Sequence, residues 1–128
     1  MNLSATRVLA PLAFAVSLAA LAGPARAAAP ETKDGVLTGD KGMTLYTFDK
    51  DKAHSGKSEC TGACAKNWPP FLASASESAS GDYSFVRRAD GKMQWAYKGK
   101  PLYYWHNDKK AGDKTGDGFK HVWHVARG

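Results

Sequence analysis

The chain has 128 residues, enough for one domain. Its 18 basic residues against 12 acidic ones give a net charge of +6. The lysines (Lys50, Lys52, Lys57, Lys98, Lys100, Lys109, Lys110, Lys114) are scattered through turn-forming stretches among acidic neighbours, which reads as a solvated surface and argues against a nucleic-acid partner.

In chain order, Met1 to Arg7 carries the amino terminus and one arginine, and Val8 to Ala22 is apolar and uncharged. Gly23-Pro24 breaks the run, and Ala25-Arg26-Ala27 supplies a small-x-small cleavage pattern. Residues 1–27 therefore read as a Sec-type signal peptide cut after Ala27, with Ala29 as the alternative. The apolar run is shorter than the roughly 20 residues that span a bilayer, so no transmembrane anchor is expected after cleavage. No cysteine stands at the cleavage site to carry a lipid. Without Arg7 and Arg26 the mature chain, 28–128, keeps a net charge of +4.

Ala28 to Asp34 reads as a short polar lead-in. Val36-Leu37-Thr38, the turn Gly39 to Gly42, and Met43 to Phe48 read as strand, turn and strand. A polar loop, Asp49 to Ser58, leads to Cys60-Thr61-Gly62-Ala63-Cys64 and Trp68-Pro69-Pro70; Ala63 to Asn67 can form one helical turn, which the two prolines end. Ser74 to Gly81 is a low-complexity loop. Beyond it, Tyr83 to Arg88 and Lys92 to Trp95 flank Ala89-Asp90-Gly91, a hairpin signal. Met93 to Tyr97, the turn Lys98-Gly99-Lys100 and Pro101 to Trp105 repeat the strand–turn–strand layout. After the loop His106 to Gly118, Phe119 to Val125 alternates like a final strand. The second unit is thus expected to be a three-stranded meander with a fourth strand near the end.

One pattern is written twice, 57 residues apart: Tyr46-Thr47-Phe48-Asp49-Lys50-Asp51 and Tyr103-Tyr104-Trp105-His106-Asn107-Asp108. Leu45 and Leu102 precede the tyrosines, and Gly42 and Gly99 precede those leucines by three. In a strand, Tyr46 and Phe48, like Tyr103 and Trp105, share a face, and the leucines take the other. Each aspartate falls where the strand stops and can accept backbone N–H bonds in the turn. Aromatic pairs of this kind ordinarily pack a core; the alternative is a ligand surface lined by Tyr46, Phe48, Asp51, Tyr103, Trp105 and Asp108, with Trp68 and Trp123 beside it. The expected fold is mostly β: a small single domain of two sequence-related β-hairpin units in an antiparallel meander (unit one about 35–73, loop 74–81, unit two about 82–128), with one short helical turn near the cysteines.

These features resemble the small secreted bacterial proteins that carry a repeated Tyr-x-[Phe/Trp/Tyr]-x-x-Asp motif, the secreted-repeat or predicted-lipoprotein family. The likeness rests on Leu45 to Asp51, the segment Cys60 to Cys64 with Trp68-Pro69-Pro70, Leu102 to Asp108, and Trp123-His124-Val125, and covers nearly all of the mature chain. This chain departs from it in lacking a lipid-attachment cysteine. The resemblance implies a fold and an exported location, and carries no activity with it.

An even cysteine count in an exported chain favours a Cys60–Cys64 disulfide; a two-cysteine metal or redox site is the alternative. His121 and His124, an odd number apart, would face opposite sides of a strand. His54 and His106, each in the loop after a motif, would converge on a metal if the units pack about a twofold, with Met43 or Met93 completing a copper-like set. Asp113 to Gly118 opens like a calcium loop, but its twelfth position is His124, which excludes an EF-hand. No phosphate loop, His-Glu-x-x-His or nucleophile elbow occurs. The sequence thus reads as an exported periplasmic or envelope-associated, non-enzymatic binding or structural module, its partner an envelope protein or a small ligand and its cofactor undetermined. The alternative is a metal- or cofactor-binding protein of periplasmic redox or metal handling.

Overall fold

The computed structural model describes residues 29–128, and the expected signal peptide lies outside them. The first hairpin comes earlier than expected. β1 (Glu31–Lys33) pairs antiparallel with β2 (Val36–Thr38), so the segment read as a lead-in is a strand. The Asp34-Gly35 dipeptide outweighs the polar composition: φ is 53° and 80° at the two residues, the left-handed pair that a two-residue hairpin turn requires. β2 then turns through a 3-10 segment, Asp40–Gly42, into β3 (Tyr46–Phe48). Main-chain bonds from Gly39 N–H to the Met43 carbonyl (2.9 Å) and from Leu45 N–H to the Leu37 carbonyl (3.0 Å) close that hairpin.

The helical turn forms as expected: α1 (Ala63–Asn67) stops at Trp68, before the prolines. β4 (Tyr83–Arg87) and β5 (Met93–Tyr97) form the Asp-Gly hairpin, and β5 pairs with β6 (Lys100–Pro101) across Lys98-Gly99, again a left-handed pair. β6 is shorter than the expected strand Pro101 to Trp105, because the chain leaves β5 after the Leu102 N–H bond to the Trp95 carbonyl. Tyr103 instead bridges to Tyr46 on one side and Pro70 on the other.

The final strand departs most. Phe119–His121 is a 3-10 turn with Lys120 and His121 both left-handed, so the alternation begins only at β7 (Trp123–Val125). β7 does not join the second unit's meander. It pairs with β3 of the first unit, Tyr46 opposite Val125 and Phe48 opposite Trp123.

The two units meet at Tyr46 and Tyr103, which exchange both main-chain bonds: Tyr46 N–H to the Tyr103 carbonyl (2.8 Å) and the reverse (3.0 Å). An approximate internal twofold runs through this pair, and bonds on either side have counterparts. Asp49 N–H to the Val122 carbonyl matches His106 N–H to the Asn67 carbonyl. Leu45, Leu37 and Ala126 form a closed ring of three main-chain bonds, and so do Leu102, Trp95 and Phe71. These central strands bury both faces. Tyr46, Phe48, Trp68, Tyr103, Trp105, Trp123 and Val125 pack on one side with Val36 and Cys60; Leu37, Leu45, Phe71, Trp95, Leu102 and Ala126 pack on the other. The alternation read from the two motifs is the division between these two cores.

Candidate functional site

The motif side chains converge, and they do so by exchange. The Tyr46 hydroxyl donates to Asp108 Oδ2 (2.7 Å), and the Tyr103 hydroxyl donates to Asp51 Oδ2 (2.6 Å). Each tyrosine thus serves the aspartate of the other motif. Asp51 also accepts the Glu59 N–H (2.6 Å), and Asp108 accepts both the N–H (2.9 Å) and the hydroxyl (2.6 Å) of Thr115. The aspartates therefore organise the loops that follow them, as an Asx residue in a turn does. Ser58 completes the Tyr103 hydroxyl (2.6 Å), and the Gly116 N–H completes that of Tyr46 (3.1 Å). Both tyrosines and Asp51 are almost fully buried. Burial pushes both phenols above the usual tyrosine range, and the neighbouring carboxylates push further, so both remain proton donors. Burial likewise raises Asp51, against the opposing pull of the Tyr103 and Glu59 hydrogen bonds and the Lys100 charge.

Beside these pairs four rings stack in sequence. Trp68 and Trp123 lie parallel with centroids 3.8 Å apart; Phe48 stacks on Trp123 at 4.2 Å, and Trp105 on Trp68 at 4.1 Å. Tyr46 meets Trp68 edge-on, and Tyr103 meets Trp123 edge-on. Gly116 leaves room for this: a Cβ there would lie 2.7 Å from Trp68 and 2.8 Å from Trp105. All eight aromatic and acidic residues singled out in the sequence stand in this core, each no more than 7% exposed.

Cys60 and Cys64 form a disulfide. His54 lies on Gly99, to whose carbonyl its N–H donates (3.0 Å), and His106 sits edge-on to Trp105 with ring centroids 4.8 Å apart. Among the described residues no three His, Cys, Asp or Glu side chains are grouped to hold a metal. His124 pairs with Asp49 at the surface (2.9 Å).

The internal twofold fails at one place. In the second half, Val86, Gln94 and Leu72 are neighbours across three strands. Gln94 is fully buried, donating to the Leu102 carbonyl and accepting from Arg88, whose guanidinium also donates to the Cys60 carbonyl (2.8 Å). Arg88 comes from the β4–β5 connection, residues 88–92, which is longer than the two-residue Asp34-Gly35 turn. The corresponding row in the first half is Lys33, Val36 and Arg127. No arginine reaches over Val36 from so short a turn. Ala111, 57 residues after His54, lies against Gly42 as His54 lies against Gly99. Small side chains here leave a cleft of about 240 Å³ lined by Lys33, Val36, Thr44, Ala111, Lys114 and Arg127. A broader depression of about 500 Å³ lies by Lys57, Thr61 and Arg87, where Arg88 is already bonded to Gln94 and Cys60.

Sequence reasoning missed Lys33, Ala111 and Arg127. The repeat itself carried the signal, since aligning the halves sets Lys33 against Val86 and Arg127 against Leu72, but that alignment needs the strand register. A family model described as a secreted repeat of unknown function matches residues 29–71 and 84–127. No curated protein and no solved structure matches the chain. No helix among the described residues is long and apolar enough to cross a membrane. The two matched segments each hold one Tyr-x-aromatic-x-x-Asp motif or its pairing strand, and the chain belongs to this secreted-repeat family.

Proposed function

We propose that the protein is a non-enzymatic binding module of the periplasm or cell envelope, with the cleft beside Gly42 as its ligand site. In this reading residues 1–27 direct export and 28–128 form one repeat domain, its units at about 35–73 and 82–128 joined by the loop 74–81. Tyr46, Phe48, Asp51, Trp68, Tyr103, Trp105, Asp108 and Trp123 are its scaffold: their polar atoms bond one another and their rings are covered, which leaves little for a ligand to meet. The observation that carries the reading is the local failure of the twofold. Two halves that agree in single main-chain bonds differ beside the paired glycines, where His54 plugs the second half at Gly99 and Ala111 leaves the first half open at Gly42. A concave site on a rigid frame is the usual form of a small-ligand site.

The test is a ligand-observed NMR screen of a chemically mixed fragment set against the mature protein and its Ala111→His variant, which copies the plug of the other half. Fragments that bind the native protein and lose their signal change with the variant are expected. Identical hits for the two proteins, or no hits with either, would overturn the assignment.

A further inference from the structure

We infer that the cleft takes a small organic dianion with a short apolar spacer, its two acidic groups met by Lys33 and Arg127 on either side of Val36. The inference rests on the cleft being the ligand site and adds the chemical class.

The row of cross-strand neighbours is inverted between the halves. The second half sets a polar centre, Gln94, between two apolar residues, Val86 and Leu72. The first half sets an apolar centre, Val36, between two cations, Lys33 and Arg127. Directly paired residues in antiparallel strands hold their Cβ atoms about 5 Å apart on one face, so both cations flank the valine within side-chain reach of one small molecule. Lys114 approaches from the loop that also carries Ala111, so the third cation comes from a separate segment of chain.

These cations are not neutralised by the protein. Among the described residues the only ion pairs are Lys110–Asp113 and His124–Asp49. Lys33, Lys114 and Arg127 share the cleft with one carboxylate, Asp34, which leaves a surplus of two positive charges. Like charges gathered around one concavity raise the local concentration of an anion. The volume, about 240 Å³, lies below the usual range of roughly 300–1,000 Å³ for drug-sized ligands. It therefore suits a molecule of a few heavy atoms. Arg127 can take a carboxylate on two parallel N–H bonds, and Lys33 can meet the second as a point charge. Val36, only 5% exposed, offers an apolar floor between them that a single compact anion would leave uncovered.

The experiment is calorimetry on the mature protein with succinate and glutarate as dianions, acetate as the monoanion and inorganic phosphate as the compact anion. Saturable binding of one dicarboxylate per chain is expected, with acetate and phosphate each about tenfold weaker or more, a difference of about 1.4 kcal/mol. The affinity should fall as salt is added. Lys33→Val and Arg127→Leu place the other half's residues in the row; each should weaken the dicarboxylate about tenfold while the melting curve and NMR fingerprint stay native. Lys92→Val, on the far hairpin turn, should change nothing. Phosphate binding as tightly as the dicarboxylates would overturn the spacer. Absence of dicarboxylate binding at millimolar concentration would overturn the class; if neutral fragments are still displaced by Ala111→His, the cleft reading survives, and if none are, both fall.

Discussion

The two halves of this molecule share a main-chain plan and differ in what completes it. Tyr46 and Tyr103 trade identical bonds, and each half closes a three-carbonyl ring through its own leucine. The side chains follow a different rule. Lys100 caps the carbonyls of Phe48 (3.0 Å) and Asp51 (2.9 Å), whereas the residue 57 places before it, Met43, has no donor to offer. Val125 has an N–H that needs an acceptor, and Asp117 supplies it at 3.0 Å. Its counterpart Pro70 has no N–H to satisfy. At the position matching Asp117 stands Cys60, in a disulfide with Cys64. Main-chain groups in the core must all be paired, so both copies keep the backbone. Side chains are held in common only where they serve that pairing or fill the shared stack, and elsewhere the halves diverge, so that a cleft opens beside Gly42 while His54 covers the matching place at Gly99.

The shared stack offers the largest test of how tightly the halves are joined. Trp123 lies against Phe48 of the first unit and Trp68 beyond it, with Tyr103 on its edge. Trp123→Ala should cost about 3–5 kcal/mol and lower the melting point of the whole domain in one transition. Two separate transitions in calorimetry would mean that the halves fold independently and that the stack is only a contact between them.

The paired glycines give a smaller effect that separates the halves. Both are left-handed, φ 75° at Gly42 and 83° at Gly99, so alanine strains either by about 1 kcal/mol. At Gly99 the new Cβ would also lie 2.6 Å from the His54 backbone nitrogen, while at Gly42 it would meet only the Ala111 Cβ at 3.2 Å. Chemical denaturation of Gly99→Ala should therefore show a loss exceeding that of Gly42→Ala by about 1 kcal/mol or more. Equal losses would remove the plugged-versus-open distinction at these two sites.

The exchanged tyrosines sharpen the comparison further. Tyr46→Phe leaves Asp108 with both Thr115 donors, whereas Tyr103→Phe leaves Asp51 with a single N–H from Glu59. Each should cost about 1–3 kcal/mol, Tyr103→Phe the more by a few tenths. Burial already raises Asp51, and losing the phenol raises it again. The folded variant then holds its proton over a wider pH range than the unfolded chain, so its deficit should be smallest in acid and grow as pH rises through the carboxylate range. A pH-independent deficit in urea melts would show that Asp51 keeps its charge without Tyr103.

Local chemistry made much of the fold readable. Gly and Asp-Gly signals marked the β2–β3, β4–β5 and β5–β6 hairpins though not the one at Asp34-Gly35, two prolines ended α1, and period-two alternation assigned Tyr46 and Phe48 to one core and Leu45 to the other. The cysteine count in a chain read as exported gave the disulfide. These depend on residues a few places apart, where backbone sterics and side-chain periodicity decide. The motif gave its members but not their partners: Tyr46 reaches across 62 residues to Asp108, and Tyr103 across 52 to Asp51. A hydrogen bond inside each motif and one between them fit the same spacing, and only the packing about the central Tyr46–Tyr103 pair selects the second. The same packing sent β7 to β3 rather than to its own meander, and set Lys33 and Arg127 on either side of Val36. Strand order and register depend on which buried surfaces fit together across the whole chain, so these placements belong to the tertiary structure.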